Sequence, residues 1–307
     1  MLAAIGIAAF GLLASQKSLA VPFDYDPTQP FDKTCQPIPR QDVRLEGCSF
    51  AGPRGGRVHF LIVSPRTAKK HSAGVIFQHG GGQSMTNYLS EAFILARAGV
   101  VSIIPDAPAR GDGKNSELNT MKLEAARDHI AEMVITQRRV LDLLLQQPGI
   151  DPTRIAFVGH SYGGTAGGVL AGIEPRIATF ILIGAVPSHA RHIEENGSGY
   201  WQHMRRSLSA LEMEKTLALI RAIDPVHYLP AARAPTLVQC ARLDSDDNVR
   251  ACPEVHKLAG GPKQLLWYDD EHSFPSLEAV RDRLYWLQQH LKLQPLEPVI
   301  RSFLRPR

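Results

Sequence analysis

The sequence lacks the features that mark several classes of protein. It contains no low-complexity tract, and charged residues make up 21% of its 307 positions, so the composition is not that of a disordered chain. Basic and acidic residues are interspersed and the formal net charge is only +4, so no stretch is typical of a nucleic-acid-binding surface. Hydrophobic residues, at 44%, are ample for a single large buried core. The composition favours a folded globular protein that does not bind nucleic acid.

The N-terminal segment lacks a basic residue ahead of its apolar run. Residues 2–14 carry no charge, and as a helix they would span about 20 Å, which is too short for the roughly 30 Å core of a bilayer. The small residues Ser18 and Ala20 fit cleavage by signal peptidase after Ala20. We therefore predict a signal peptide at 1–20, no stable membrane anchor, and a secreted or periplasmic catalytic domain at 21–307. A truncated or mis-started N-terminus is the alternative.

Cysteine is scarce, and the C-x-x-C spacing of zinc sites is absent. Cys35 and Cys48 are thirteen residues apart, and Cys240 and Cys252 are twelve apart. An even number in two local pairs predicts two disulfides formed in an oxidising compartment, although four cysteines allow three connectivities. Buried free thiols are the alternative. An H-x-x-H pair at 189–192 lies in a segment predicted to be irregular and has no clear third ligand, so we expect no metal site.

Short apolar segments alternate with amphipathic ones from residue 73 onward. The strand-like segments are 73–79, 100–106, 154–158, 177–184, 235–241 and 263–269. The helix-like segments are 86–99, 117–147, 165–172 and 276–291. This alternation predicts an α/β fold with a mostly parallel sheet and helices on both of its faces. Two earlier strands, 42–50 and 57–63, predict an antiparallel hairpin at one edge, and 21–40 is expected to be an extended arm.

Residues capable of chemistry follow several of these strands. Ligands of parallel sheets bind beyond the carboxyl ends of the strands. The residues that stand there are "HGGG" (79–82), "GHSYG" (159–163), Asp244 and His272. A G-x-S-x-G string alone occurs by chance in about one chain in ten of this length. Its position after a strand, and the order of the acid and histidine that follow, carry the prediction.

Three of these residues have the chemistry of a nucleophilic site. A serine hydroxyl becomes nucleophilic when an imidazole accepts its proton, and the imidazole needs an acid to hold its tautomer. Ser161, Asp244 and His272 are predicted to be nucleophile, acid and base, in an order different from that of the chymotrypsin and subtilisin folds. Asp246 and Asp247, which we expect further along the same loop, are alternatives for the acid.

Backbone amides are predicted to stabilise the oxyanion. Tyr162 follows the nucleophile at the start of a helix, where the amides and the helix dipole favour negative charge, so its amide is one candidate donor. The glycine loop supplies the second candidate, with Gly81 as first choice and Gly82 as second. His160 flanks Ser161 but is expected to point away from it, in a supporting or packing role.

These motifs resemble those of the α/β-hydrolase superfamily, in particular its dienelactone-hydrolase-like and small serine-esterase branches. The resemblance runs from Gly74 to Leu291 through "FQHGGG", "PDAPARGDG", "IDPTRIAFVGHSYGG", "APTLVQCARLD" and "WYDDEHSF". It implies an α/β-hydrolase fold and a serine hydrolase that cleaves carboxylic esters without a metal or organic cofactor. The chain departs from the pattern in two places: it has a serine where dienelactone hydrolases have a cysteine, and Ala241 where a glycine usually stands three residues before the acid.

An insertion at 187–233 separates two of the predicted strands. We expect it to form a small helical cap over the strand ends. Tyr200, Trp201 and Met204 are candidates for lining the substrate pocket, although such a cluster is more often the cap's own core. The predicted partner is a small-molecule ester, and the sequence does not indicate the oligomeric state. The alternatives are a serine peptidase or amidase of prolyl-oligopeptidase type and a non-catalytic binding protein of the same fold.

Overall fold

A computed structural model places a nine-stranded sheet at the centre of the protein. The structure describes residues 23–67, 70–107, 123–195 and 205–303. The predicted signal peptide and the candidate pocket residues Tyr200, Trp201 and Met204 therefore lie outside the described residues. The strands are β1 Thr34–Ile38, β2 Val43–Ala51, β3 Arg57–Pro65, β4 Ser72–Gln78, β5 Val101–Pro105, β6 Ile150–His160, β7 Thr179–Ile183, β8 Thr236–Ala241 and β9 Lys263–Tyr268.

The strand order in the sheet is β1-β2-β3-β5-β4-β6-β7-β8-β9. The pairs β1–β2, β2–β3 and β3–β5 are antiparallel, and every other neighbouring pair is parallel. The prediction of a mostly parallel sheet with an antiparallel hairpin at one edge is confirmed. The central strands are buried along their whole length, which is why they are short apolar runs in the sequence.

Helices cover both faces of the sheet, as predicted. They are α1 Leu89–Arg97, α2 Leu123–Leu145, α3 Tyr162–Ile173, α4 His189–Glu195, α5 Ala210–Arg221, α6 Asp246–Leu258, α7 Leu277–His290 and α8 Glu297–Phe303. One hydrophobic core joins α1 and α7 to one face, and a second joins α2, α3, α5 and α6 to the other. In the part of the chain that the structure describes, we find no helix with the length and apolar character of a membrane span.

The first strand corrects the prediction of an extended arm at 21–40. Its five residues are mostly exposed, so β1 lacks the alternation of buried and exposed side chains that marks a half-buried strand. Pro37 lies within it, which an edge strand tolerates because one side of its backbone is unpaired. Pairing with β2, which sets Cys35 opposite Cys48, holds the segment in place.

The helix α6 corrects the expectation that Asp246 and Asp247 lie in a loop. Both carboxylates stand in its first turn, where the helix dipole favours negative charge. Pro253 lies inside the helix, and proline ordinarily argues against a helix interior. The parallel pairing of β8 with β9 requires a crossover connection, and α6 supplies it.

The helix α4 corrects the expectation of an irregular segment around the H-x-x-H pair. The Asp224 carboxylate accepts hydrogen bonds from the His189 amide at 2.7 Å and from the Ala190 amide at 3.4 Å. Amides of a first helical turn need such acceptors, and side chains that supply them stabilise the helix. Ser188, directly before α4, also accepts a hydrogen bond from the Arg191 amide at 3.1 Å, so a local start signal accompanies the distant acceptor Asp224.

The cysteines form the two local disulfides, Cys35–Cys48 and Cys240–Cys252. The first links the paired strands β1 and β2, and the second links β8 to α6. Two disulfides are typical of proteins from an oxidising compartment, such as the periplasm or the extracellular space.

Removing the Cys240–Cys252 disulfide should destabilise the protein. The bond closes a segment of 12 positions between β8 and α6, and its loss in a double-serine variant should lower the free energy of unfolding by about 3 kcal/mol. Denaturant-induced unfolding measures this change in the free energy of unfolding. The variant lacking Cys35–Cys48, the disulfide at the sheet edge, is measured beside it for comparison. An unchanged unfolding midpoint, together with an intact mass that reduction leaves unaltered, would show that these cysteines are not bonded.

Candidate active site

The candidate site lies at the carboxyl ends of β4, β6, β8 and β9. The chain leaves β4 for β5 on one side and later forms β6 on the other, so the strand order reverses at β4. Such a reversal opens a crevice at the carboxyl ends of the strands, where α/β proteins bind ligands. Gln78 at the end of β4 pairs with Gly159 of β6. The glycine loop at 79–82 and the turn at 159–163 therefore stand side by side.

Ser161 occupies a strained turn between β6 and α3. Its φ of 52° and ψ of −114° are rare for a residue with a side chain, and this strain is typical of the nucleophile elbow of hydrolases. A Cβ on Gly159 would lie 2.4 Å from the carbonyl oxygen of Gly163, and one on Gly163 would lie 2.5 Å from that of Gln78. Both glycines are needed because backbone fills the space that a side chain would take.

The structure brings the three predicted side chains together. His272 Nε2 lies 2.7 Å from Ser161 Oγ, and His272 Nδ1 lies 2.6 Å from Asp244 Oδ2. A neutral imidazole that donates its Nδ1 proton to the carboxylate presents its Nε2 lone pair to the serine hydroxyl. Asp244 exposes only 5% of its side chain, whereas His272 exposes 38%. This arrangement allows proton transfer from the serine hydroxyl to the imidazole.

The Asp244 carboxylate is held in its charged form. Burial alone would raise its pKa, but hydrogen bonds with His272, with Asn248 and with the Ser245 amide outweigh burial and hold the pKa below its usual value. Asn248 Nδ2 donates to Asp244 Oδ1 at 3.0 Å, and the Ser245 amide donates to the same oxygen at 2.7 Å. The sequence analysis did not identify Asn248. It lies in α6, so its four-residue spacing from Asp244 became meaningful only once that helix was recognised.

The alternative acids have other environments. Asp247 Oδ2 lies 3.1 Å from His192 Nδ1 and so links α6 to α4. Asp246 is exposed in the first turn of α6. Of the three aspartates, Asp244 is the one within hydrogen-bond distance of His272. The described ranges contain no group of three or more side chains placed to hold a metal ion.

The glycine loop packs directly against the elbow. A Cβ on Gly80 would lie 3.0 Å from Ser161 Cβ, and nothing lies within 4 Å of the Cβ position of Gly81. The Gly80 carbonyl accepts a hydrogen bond from His79 Nδ1 at 2.8 Å. Because the carbonyl and N–H of a trans peptide point in opposite directions, this bond also orients the Gly81 amide. His79 Nε2 in turn lies 3.0 Å from Asp106 Oδ1.

The described part of the insertion packs beside the elbow. The Tyr162 ring lies between two histidines. The His189 ring of α4 is 5.4 Å from it, and the His129 ring of α2 is 6.0 Å from it. Burial lowers the pKa of His189 to about 3 and also lowers that of His129, so both imidazoles are neutral. In α5, Leu217 and Ile220 belong to the same core as α2 and α3. The described part of the segment 187–233 therefore packs with the main domain.

The strand order and the elbow define the class of the protein as the α/β hydrolases. The chain belongs to the alpha/beta hydrolase family, whose profile it matches over residues 75–301. No curated protein sequence matches it significantly.

Several solved structures share its fold at low sequence identity. An acetyl xylan esterase from a Paenibacillus species has a TM-score of 0.73 and 18% identity, with 85% of this chain and 90% of that one covered. A putative dienelactone hydrolase from Klebsiella pneumoniae has a TM-score of 0.57 and 16% identity, over 81% and 98% of the two chains. A chain from a study of two prolyl endopeptidases has a TM-score of 0.64 and 17% identity, over 84% and 40%.

Proposed function

We propose that the protein is a serine hydrolase that cleaves carboxylic esters through an acyl-enzyme on Ser161. The observation that carries this proposal is the continuous hydrogen-bonded series from Asp244 through His272 to Ser161 at the strand ends. The strained backbone of Ser161 supports the proposal, because the surrounding structure has to maintain such strain and strained residues cluster at active sites. The α/β-hydrolase family, which the chain belongs to, agrees with this chemistry.

The reaction proceeds in two halves. Ser161 Oγ attacks the ester carbonyl while His272 Nε2 takes the hydroxyl proton, and the tetrahedral intermediate collapses as that proton passes to the leaving alcohol. Water then attacks the acyl-enzyme, gives a proton to His272, and releases the carboxylic acid as the proton returns to Ser161. Asp244 keeps the Nδ1 proton in place and stabilises the imidazolium that forms in each half.

The backbone amides of Gly81 and Tyr162 are the proposed oxyanion donors, with Gly82 as the alternative to Gly81. Losing one such donor typically costs about 3 to 4 kcal/mol of transition-state stabilisation. The hydrogen bond from His79 Nδ1 to the Gly80 carbonyl, which orients the Gly81 amide, supports the choice of Gly81. No metal or organic cofactor takes part in this scheme.

The proposal extends to the organisation of the chain. We infer that 1–20 is a signal peptide, that 21–307 is a catalytic domain with a cap at about 187–233, and that the protein is secreted or periplasmic. The two disulfides support an oxidising location. The substrate is a small-molecule ester, and a peptidase of prolyl-oligopeptidase type is the second candidate because the same triad also cleaves amides.

Active-site labelling combined with a substrate panel tests this function. A fluorophosphonate should label one tryptic peptide, the one containing Ser161, and should abolish hydrolysis of p-nitrophenyl acetate, butyrate and octanoate in parallel with labelling. The matched arm is an aminoacyl p-nitroanilide, which we expect to be cleaved far more slowly. Cleavage of the anilide alone would favour the peptidase, and labelling at another residue would exclude Ser161 as the nucleophile.

A further inference from the structure

His160 bridges two loops that stand on opposite sides of Ser161. Its Nε2 lies 2.6 Å from the main-chain carbonyl oxygen of His272, and its Nδ1 lies 2.9 Å from Gln83 Oε1. The same Gln83 oxygen accepts a hydrogen bond from the Gly80 amide at 2.9 Å. One side-chain pair therefore connects the backbone of the proposed base to the backbone of the glycine loop.

The directions of these hydrogen bonds follow from the atoms involved. A carbonyl oxygen only accepts, so His160 Nε2 donates to His272. The Gly80 amide only donates, which identifies the facing atom of Gln83 as its oxygen. Burial and repulsion from His272 lower the pKa of His160 to about 4, so the neutral ring has one proton for two acceptors. We assign that proton to Nε2, which donates to the His272 carbonyl in the shorter contact, so Nδ1 packs against the Gln83 oxygen at 2.9 Å without a hydrogen bond.

The close fit of the loop against the ring argues for more than space filling. A Cβ on Gly80 would lie 2.9 Å from His160 Nδ1 and 3.0 Å from Ser161 Cβ, so the loop touches the ring and the nucleophile at once. The His160 and His272 rings lie 5.1 Å apart, and Phe274 packs edge-on against His160 at 6.0 Å. The segment that carries His272 is thus held at its backbone and at its neighbouring ring.

We propose that His160 and Gln83 are positioning residues for ester hydrolysis, because they hold the backbones of His272 and Gly80 in register across Ser161. This inference rests on the proposed function. His272 has a half-exposed side chain, and the glycines of the loop have little conformational preference of their own, so both need an external anchor. Displacing a reacting group by about 1 Å can cost about a hundredfold in rate.

Four single variants test the link. His160→Phe keeps a ring but removes both polar atoms, and Gln83→Leu removes the shared oxygen; each should lower kcat about 10- to 100-fold with KM changed less than about threefold. Gln83→Glu keeps an oxygen acceptor for the Gly80 amide and should retain kcat within about fivefold. Gln288→Leu removes a comparable glutamine, which accepts the Leu296 amide at 2.7 Å far from the site, and should leave kcat unchanged.

Two further measurements complete the experiment: kcat of a double variant, and the folding of every variant. If His160 and Gln83 act through one connection, His160→Phe combined with Gln83→Leu should cost little more than the larger single change. Circular dichroism and thermal unfolding should show each variant folded at the assay temperature. Values of kcat within about twofold of wild type for both single variants, or additive losses, would overturn the inference while leaving the esterase proposal intact. A wild-type protein that neither hydrolyses esters nor reacts with a fluorophosphonate would overturn both.

Discussion

Replacing Ser161 by alanine should lower kcat for p-nitrophenyl acetate by about 10⁴- to 10⁶-fold. The hydroxyl that forms the acyl-enzyme is lost, and water bound in its place lacks both the fixed position and the covalent route. What remains is stabilisation of the oxyanion by backbone amides, which by itself supports only slow hydrolysis. The fold should persist, because alanine carries the same Cβ that the strained backbone at φ 52° already accommodates.

Ser273→Ala is the matched control for this prediction. Ser273 is an exposed serine beside His272, and its hydroxyl donates to Glu271 at 2.8 Å rather than to a group of the site. Its variant should retain nearly full activity. Initial rates of both purified variants, with fluorophosphonate titration to exclude wild-type contamination, give the comparison. Equal ester hydrolysis by Ser161→Ala and wild type would rule out the acyl-enzyme mechanism.

Asp244→Asn should lower kcat by about 10⁴-fold. An amide at this position can donate to His272 Nδ1, so the imidazole would keep its proton on Nε2 and could no longer accept one from Ser161. The 2.6 Å contact between Asp244 and His272 and the depressed pKa of the carboxylate are the reasons for the large effect.

Asp246→Asn and Asp247→Asn are the comparisons that make this prediction specific. Asp246 is exposed, and its variant should keep kcat within about twofold. Asp247 pairs with His192, so its variant should lose stability rather than turnover. Measuring kcat and thermal unfolding for the three variants separates the two effects. If Asp247→Asn abolished turnover while Asp244→Asn did not, the acid would have to be reassigned.

The parallel part of the sheet could be predicted from the sequence because each buried strand is a short apolar run followed by glycine or polar residues. The elements that were missed depend on distant contacts. β1 is exposed along most of its length and exists through pairing and a disulfide to β2. The start of α4 combines the local cap Ser188 with the distant Asp224, and α6 contains a proline that obscures its helical pattern.

In the candidate site, too, some residues could be identified from the sequence and others only from the structure. The residue types and their places after strands were available from the sequence for Ser161, Asp244 and His272. Asn248 and Gln83 were not, because an asparagine in a helix and a glutamine after a glycine loop carry no local signal of their partners. His160 was expected to support rather than react, and its ring nitrogens face Gln83 and the His272 carbonyl.

The sequence by itself determined the order of the buried parallel strands, since each of them is a short apolar run that its own burial pattern identifies. Only the tertiary structure decided which aspartate meets His272, because that contact joins residues 28 positions apart across two strand ends. The contact between His272 and Ser161 spans 111 positions. Distances over such separations are set by how the sheet brings its strand ends together, and no local property of the chain specifies them.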